Sequence, residues 1–172
     1  MKALIVVDYQ VDFVCGALGF EGAEKLEPII LGKIEQCRND GGQIIFTLDT
    51  HGEDYLNTAE GKKLPIVHCV DGTEGHKLFG KIAAAVQDGD IVIKKPAFGS
   101  MELADLLKKC DFEEVELCGL VTDICVLSNA VIAKAALPEA KIVVDGSACG
   151  TADPAAHKRA LGSMRGVQID II

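Results

Sequence analysis

Gly119-Leu120-Val121-Thr122-Asp123-Ile124-Cys125-Val126 is where a strand pattern ends and a helix pattern begins. Before it, Glu114 to Cys118 (Glu-Val-Glu-Leu-Cys) reads as a short strand; after it, Val126 to Leu137 carries Val, Ala, Ile and Leu at helical spacing. Gly119 allows a sharp exit from the strand. Thr122 or Asp123 can cap the helix by accepting a hydrogen bond from a free amide. Cys125 then sits in the first turn, where the helix dipole and unpaired amides favour thiolate over thiol. The same amides are placed to hold an oxyanion formed when a thiolate attacks a carbonyl. Read alone, Cys125 is equally a small apolar core residue, since free cysteine is commonly buried.

Outward from this turn, the same alternation runs along the whole chain. Strands are expected at Lys2 to Asp8, Gln43 to Asp49, Asp90 to Lys94, Glu114 to Cys118, Lys141 to Asp145 and Val167 to Ile172. Helices are expected at Glu24 to Asp40, Glu74 to Gln87, Met101 to Lys109, Val126 to Leu137, and from Asp153-Pro154 to about Met164. Lys2 to Asp8 is apolar on both faces, as in a covered parallel sheet. The pattern predicts a single three-layer α/β/α domain over residues 1–172, with a six-stranded parallel sheet. The irregular segment from Thr50 to Thr73 is too long for a mere connector and reads as a functional loop.

Composition narrows the function classes. The chain has 172 residues and a formal net charge of −9. Its sequence pI is about 4.9 and its mean hydropathy +0.26. That balance argues for a globular protein, and against nucleic-acid or anionic-membrane partners, which need basic patches. No apolar run approaches the ~20 residues of a membrane span. After Lys2, the apolar run Ala3 to Val7 is broken by Asp8 too early for a signal peptide, so a cytoplasmic protein is expected. The seven cysteines show neither C-x-x-C nor finger-like spacing, and are expected to be free thiols. The glycines of residues 15–23 match neither dinucleotide nor P-loop fingerprints.

Several strand ends carry reactive side chains. Asp8 ends the first strand, on the edge where α/β sheets build sites. If the chain stays extended, Asp8, Gln10 and Asp12 share one side, and Phe13 is placed to wall a pocket. Asp49 and His51, two residues apart at the end of the second strand, can converge on one ion. Glu60 and His68 on the following loop complete a mixed N/O donor set for a divalent metal. His76 reads as a surface or helix-start residue, and His157 as a structural residue inside its helix. Lys94 ends the third strand, as a solvated charge or as an ammonium delivered to the same edge. Asp8, Lys94 and Cys125 would supply a carboxylate base, a cation and a thiol nucleophile.

Six blocks in order carry a family resemblance: Asp8-Tyr9-Gln10-Val11-Asp12-Phe13, Asp49-Thr50-His51, Leu64-Pro65 with His68-Cys69, Lys94-Lys95-Pro96-Ala97-Phe98, Gly119 to Val126, and Asp145-Gly146-Ser147-Ala148-Cys149. Together they resemble the nicotinamidase and isochorismatase group of cysteine hydrolases over essentially the whole chain. The resemblance implies strand order 3-2-1-4-5-6 and a catalytic triad of Asp8, Lys94 and Cys125. It implies an oxyanion hole from the Val121 and Cys125 amides, and a cis peptide between Val121 and Thr122. It also implies one divalent metal ion, zinc being the first expectation, with Asp49, His51 and His68 on ligand positions and Glu60 placed for a further one. Phe13 and Phe98 fall where the family contacts its substrate. One departure is that Leu64-Pro65-Ile66-Val67 lacks the aromatic residue that nicotinamidases often carry near the last metal histidine.

Three functions are therefore weighed. The first is a metal-containing amidase acting on nicotinamide or a related heteroaromatic amide through a thioester. The second is an isochorismatase-type hydrolase of another small molecule, against which Asp49, His51 and His68 count. The third is a non-catalytic ligand-binding protein on the same fold. The sequence leaves homo-oligomer formation open.

Overall fold

A computed structural model describes residues 1–172. The strands are β1 (Lys2–Val7), β2 (Gln43–Asp49), β3 (Ile91–Lys95), β4 (Glu114–Leu120), β5 (Lys141–Gly150) and β6 (Asp170–Ile171). The helices are α1 (Val11–Val14), α2 (Glu27–Asn39), α3 (Gly80–Ala85), α4 (Met101–Lys108), α5 (Leu127–Ala136) and α6 (Pro154–Gly166). All strand pairs are parallel, in the order β3-β2-β1-β4-β5-β6. Helices α2 and α3 pack together on one face, while α4, α5 and α6 pack in succession on the other. No helix is long and apolar enough to cross a membrane.

The apolar runs explain this arrangement. From Ala3 to Val7 every residue of β1 is buried, because helices cover both faces of the central strands. Ile30 and Ile34 of α2 and Leu103 and Leu107 of α4 close on the sheet. Each such side chain, fully buried, contributes about 1.5–3 kcal/mol. Edge strand β3 differs: Ile93 and Lys95 are buried, whereas Val92 and Lys94 are exposed.

Three expectations change. The second long helix shrinks to Gly80–Ala85, because Leu78 bridges Gln10 and holds the preceding residues in a loop. The last strand shortens to Asp170–Ile171, while β5 runs on to Gly150 past an irregularity opposite Cys118. Beyond β1 the chain does not stay extended: Asp8 takes φ 45° and Val11–Val14 is helical. Asp8, Gln10 and Asp12 therefore point to different tasks.

The strand order reverses between β1 and β4, whose carboxyl ends face the same rim as those of β2 and β3. A crevice at that rim is the general ligand position in open α/β sheets.

Candidate active site

Gly119 lets β4 come close to β1. Its φ is 115°, and a Cβ there would overlap the Val7 backbone. Leu120–Val121 is the cis peptide, one residue earlier than expected. Thr122–Val126 then forms a π-helical turn that runs into α5 and carries Cys125 to the rim, 3% exposed.

Asp8 and Cys125 meet there, but the lysine between them is Lys95. Its Nζ lies 2.6 Å from Asp8 Oδ2, 3.3 Å from Asp49 Oδ1 and 3.5 Å from Cys125 Sγ, and donates to the Ala97 carbonyl at 3.1 Å. Lys95 is fully buried. Lys94, expected in this position, points the other way and pairs with Asp71 at 2.7 Å, both side chains about half exposed. The cause is strand parity: β3 ends at Lys95, so Lys95 shares the buried side with Ile93 and Lys94 faces solvent.

Burial and charge set the protonation of this cluster. Burial pushes the Asp8 carboxyl up, opposed by Lys95 and by the Thr47 hydroxyl, which donates to Oδ1 at 2.6 Å. Burial disfavours the Lys95 ammonium, but Asp8, Cys125 and Asp49 outweigh it and hold it charged. Burial and Asp8 push the Cys125 thiol well above its ordinary value, with Lys95 pulling the other way. A first-turn position favours the thiolate, whereas desolvation at this buried site works against it.

A second cluster adjoins the first. One donor atom each from Asp49, His51, Glu60 and His68 lies within 4.8 Å of the others. Asp49 Oδ2 is 3.0 Å from His51 Nε2 and 3.4 Å from His68 Nε2. Glu60 Oε1 is 3.8 and 3.6 Å from the same two nitrogens and is buried without a hydrogen-bond partner. The Ile66 carbonyl accepts from His68 Nδ1 at 2.8 Å, so the neutral ring turns its Nε2 lone pair toward the cluster. Two imidazoles and two carboxylates, with one orphaned oxygen, fit a divalent cation. His76 lies outside this set, with Nε2 2.8 Å from the Thr50 hydroxyl and Nδ1 3.5 Å from Asp71.

Both clusters open on a cleft of about 240 Å³. Phe13, Leu18, Phe20, Leu64, Phe98, Val121 and Ile124 supply its apolar walls; Asp49, Glu60, His68 and Cys125 reach into it. Phe13 and Phe98 are thus both at the cleft, and Phe13 packs edge-on to His68. The Val121 amide, expected in an oxyanion hole, donates to no group in the chain.

Two buried amide side chains brace this frame, Gln10 from the first motif block and Asn129, which lies outside all six. Gln10 accepts from the Asp49 amide and donates to the Asp49 and His76 carbonyls, fixing the backbone under the four-donor cluster. Asn129 donates to the Cys125 and Phe98 carbonyls and accepts from the Ser100 amide, tying the Cys125 turn to the segment after Lys95. The signal for Asn129 was present: a polar residue four after Cys125, on the stripe shared with Val126, Ala130 and Ala133. Asp12 bridges loops, accepting from the Cys69 and Ala17 amides.

Comparison with known proteins agrees with this frame. The isochorismatase domain model matches residues 2–172. An isochorismatase family protein of Bacillus subtilis is 30% identical over 145 residues, 76% of each chain. A nicotinamidase/pyrazinamidase of Mycobacterium tuberculosis is 27% identical, covering 100% of this chain and 98% of its own. The crystal structure of the Pyrococcus horikoshii pyrazinamidase in complex with zinc superposes with a TM-score of 0.87 at 28% identity, covering 99% of this chain and 98% of that one.

Proposed function

We propose that this chain, which belongs to the isochorismatase domain family, is a cysteine amidohydrolase of small heteroaromatic amides, nicotinamide first among them. The carrying observation is the single buried contact set of Asp8, Lys95 and Cys125, opening on an apolar cleft beside four metal-competent donors. The curated nicotinamidase/pyrazinamidase relative supports the substrate class. So does the cleft lining, which includes no lysine or arginine to meet a substrate carboxylate.

The residues divide the work as follows. Asp8 takes the Cys125 proton as sulfur attacks the amide carbonyl. Lys95 stays charged and stabilises the anionic pair through this transfer. The Val121 and Cys125 amides receive the developing oxyanion. The carbon–nitrogen bond then breaks, Asp8 returns the proton to the leaving ammonia, and the acyl group remains on Cys125 as a thioester. Water, deprotonated by Asp8, attacks the thioester; the acid leaves and the thiol is restored. Asp49, His51, Glu60 and His68 would hold one divalent ion, with zinc the first candidate, which supplies a Lewis-acidic anchor for a ring nitrogen. Phe13 and Phe98 flank the ring. Ammonia release from nicotinamide, pyrazinamide and a panel of simple amides tests the reading, alongside elemental analysis of wild type and His51→Ala. Turnover by wild type and not by Cys125→Ala, with metal lost in His51→Ala, is expected. Full turnover by Cys125→Ala, or equal metal in both proteins, would refute the corresponding half.

A further inference from the structure

The π-helical turn that carries Cys125 opens at Thr122, which is fully buried. The Thr122 hydroxyl has one hydrogen-bond partner in the chain: Oγ1 lies 2.9 Å from His157 Nδ1. His157 belongs to α6, distant in sequence and on the flank of the sheet. Helix α6 is itself firmly placed. Ala160 and Met164 are buried against the core, Asp153 caps the first turn by accepting from the Ala155 amide at 2.8 Å, and Pro154 sits inside that turn. The part-buried His157 ring therefore links a seated helix to the start of the nucleophile turn. Opposite it, Asn129 holds the other end of the turn through the Cys125 carbonyl.

We propose that His157 is a positioning residue that sets the aim of Cys125 through Thr122. The inference rests on Cys125 being the nucleophile. Without the imidazole, the Thr122 hydroxyl is buried without a partner, and the turn must shift to find one. Cys125, three residues along, moves with it relative to Asp8 and Lys95. Ile124 in the same turn and the adjoining Val121 line the cleft, so binding shifts with it, but Phe13 and the four-donor cluster sit on other segments. A misplacement of about 1 Å at the reacting atom costs up to about 10²-fold in rate. The loss thus falls more heavily on kcat than on KM.

The test compares wild type, Cys125→Ala, His157→Ala, His157→Asn and His157→Gln on nicotinamide, with a crystal structure of wild type and of His157→Ala. Asparagine places an amide where Nδ1 stood; glutamine carries it one bond further. The expected result is a fall in kcat of about 10- to 100-fold in His157→Ala and His157→Gln. KM should change by a smaller factor than kcat, and Asn should restore most of kcat, while the Cys125 sulfur is displaced from Lys95 in the Ala structure. Wild-type kcat in His157→Ala, equal loss in Ala and Asn, or an unmoved Cys125 turn in the Ala structure overturns the proposal. The structural arm decides it even if nicotinamide is not turned over. Activity retained in Cys125→Ala instead refutes the nucleophile reading on which it rests.

Discussion

Replacing Lys95 by methionine removes a buried cation while keeping most of the side-chain volume. Its Nζ is the neighbour of three acidic or thiol groups, at 2.6 Å from Asp8, 3.3 Å from Asp49 and 3.5 Å from Cys125. Breaking a buried ion pair by deleting one partner costs about 3–5 kcal/mol. Here the low end is expected, because Asp8, already pushed up by burial, escapes its uncompensated charge by taking a proton. At about 2–4 °C per kcal/mol for a chain of this size, 3 kcal/mol lowers Tm by about 6–12 °C. Catalysis suffers more: loss of one preorganised charge costs about 10²–10³ in kcat. The assay is thermal unfolding by circular dichroism, with ammonia release measured well below the variant's Tm. Lys94→Met is the control. Its ammonium is about half exposed and water-screened against Asp71, so its melting curve and turnover should match wild type. An inactive Lys94→Met beside an active Lys95→Met, or a Tm in Lys95→Met equal to wild type, would refute the reasoning.

Two further perturbations test the frame around the site. Gly119→Ala should destabilise by at least about 1–3 kcal/mol for the backbone conformation alone, with an added overlap against Val7, and an unchanged denaturation midpoint would contradict the close approach of β4 to β1. At Asp145, burial raises the carboxyl, but Lys33 and Ser147 more than offset it and hold it below the usual carboxylate range. A depressed carboxyl contributes stability that is complete above its unfolded value, about 3.9, and lost as pH falls through the folded value. Asp145→Asn should therefore cost about 1–2 kcal/mol at pH 7, after discounting for partial exposure, and show a flatter loss of stability below about pH 4 in urea titrations.

The amino-acid sequence by itself determined the sheet, most of its helices and the chemistry offered at its rim. The apolar runs of β1 and β2 admit little but buried parallel strands, and Asp8, Asp49, His51 and Cys125 lie at or shortly past strand ends, where local pattern places them. The choice between Lys94 and Lys95 was not legible. Ile91-Val92-Ile93 is apolar at every position, so it carries no parity, and only the placement of β3 at the sheet edge decides which face is covered. Tertiary structure also set the electrostatic surroundings of the thiol. Local reasoning counted the helix start, whereas the burial that works against it comes from segments far apart in the chain. The ties of Gln10 to Asp49, Asn129 to Phe98 and Thr122 to His157 join residues 31 or more positions apart. Such bonds arise because folding buries backbone and hydroxyl groups that must then find partners, and no local periodicity records where those partners are.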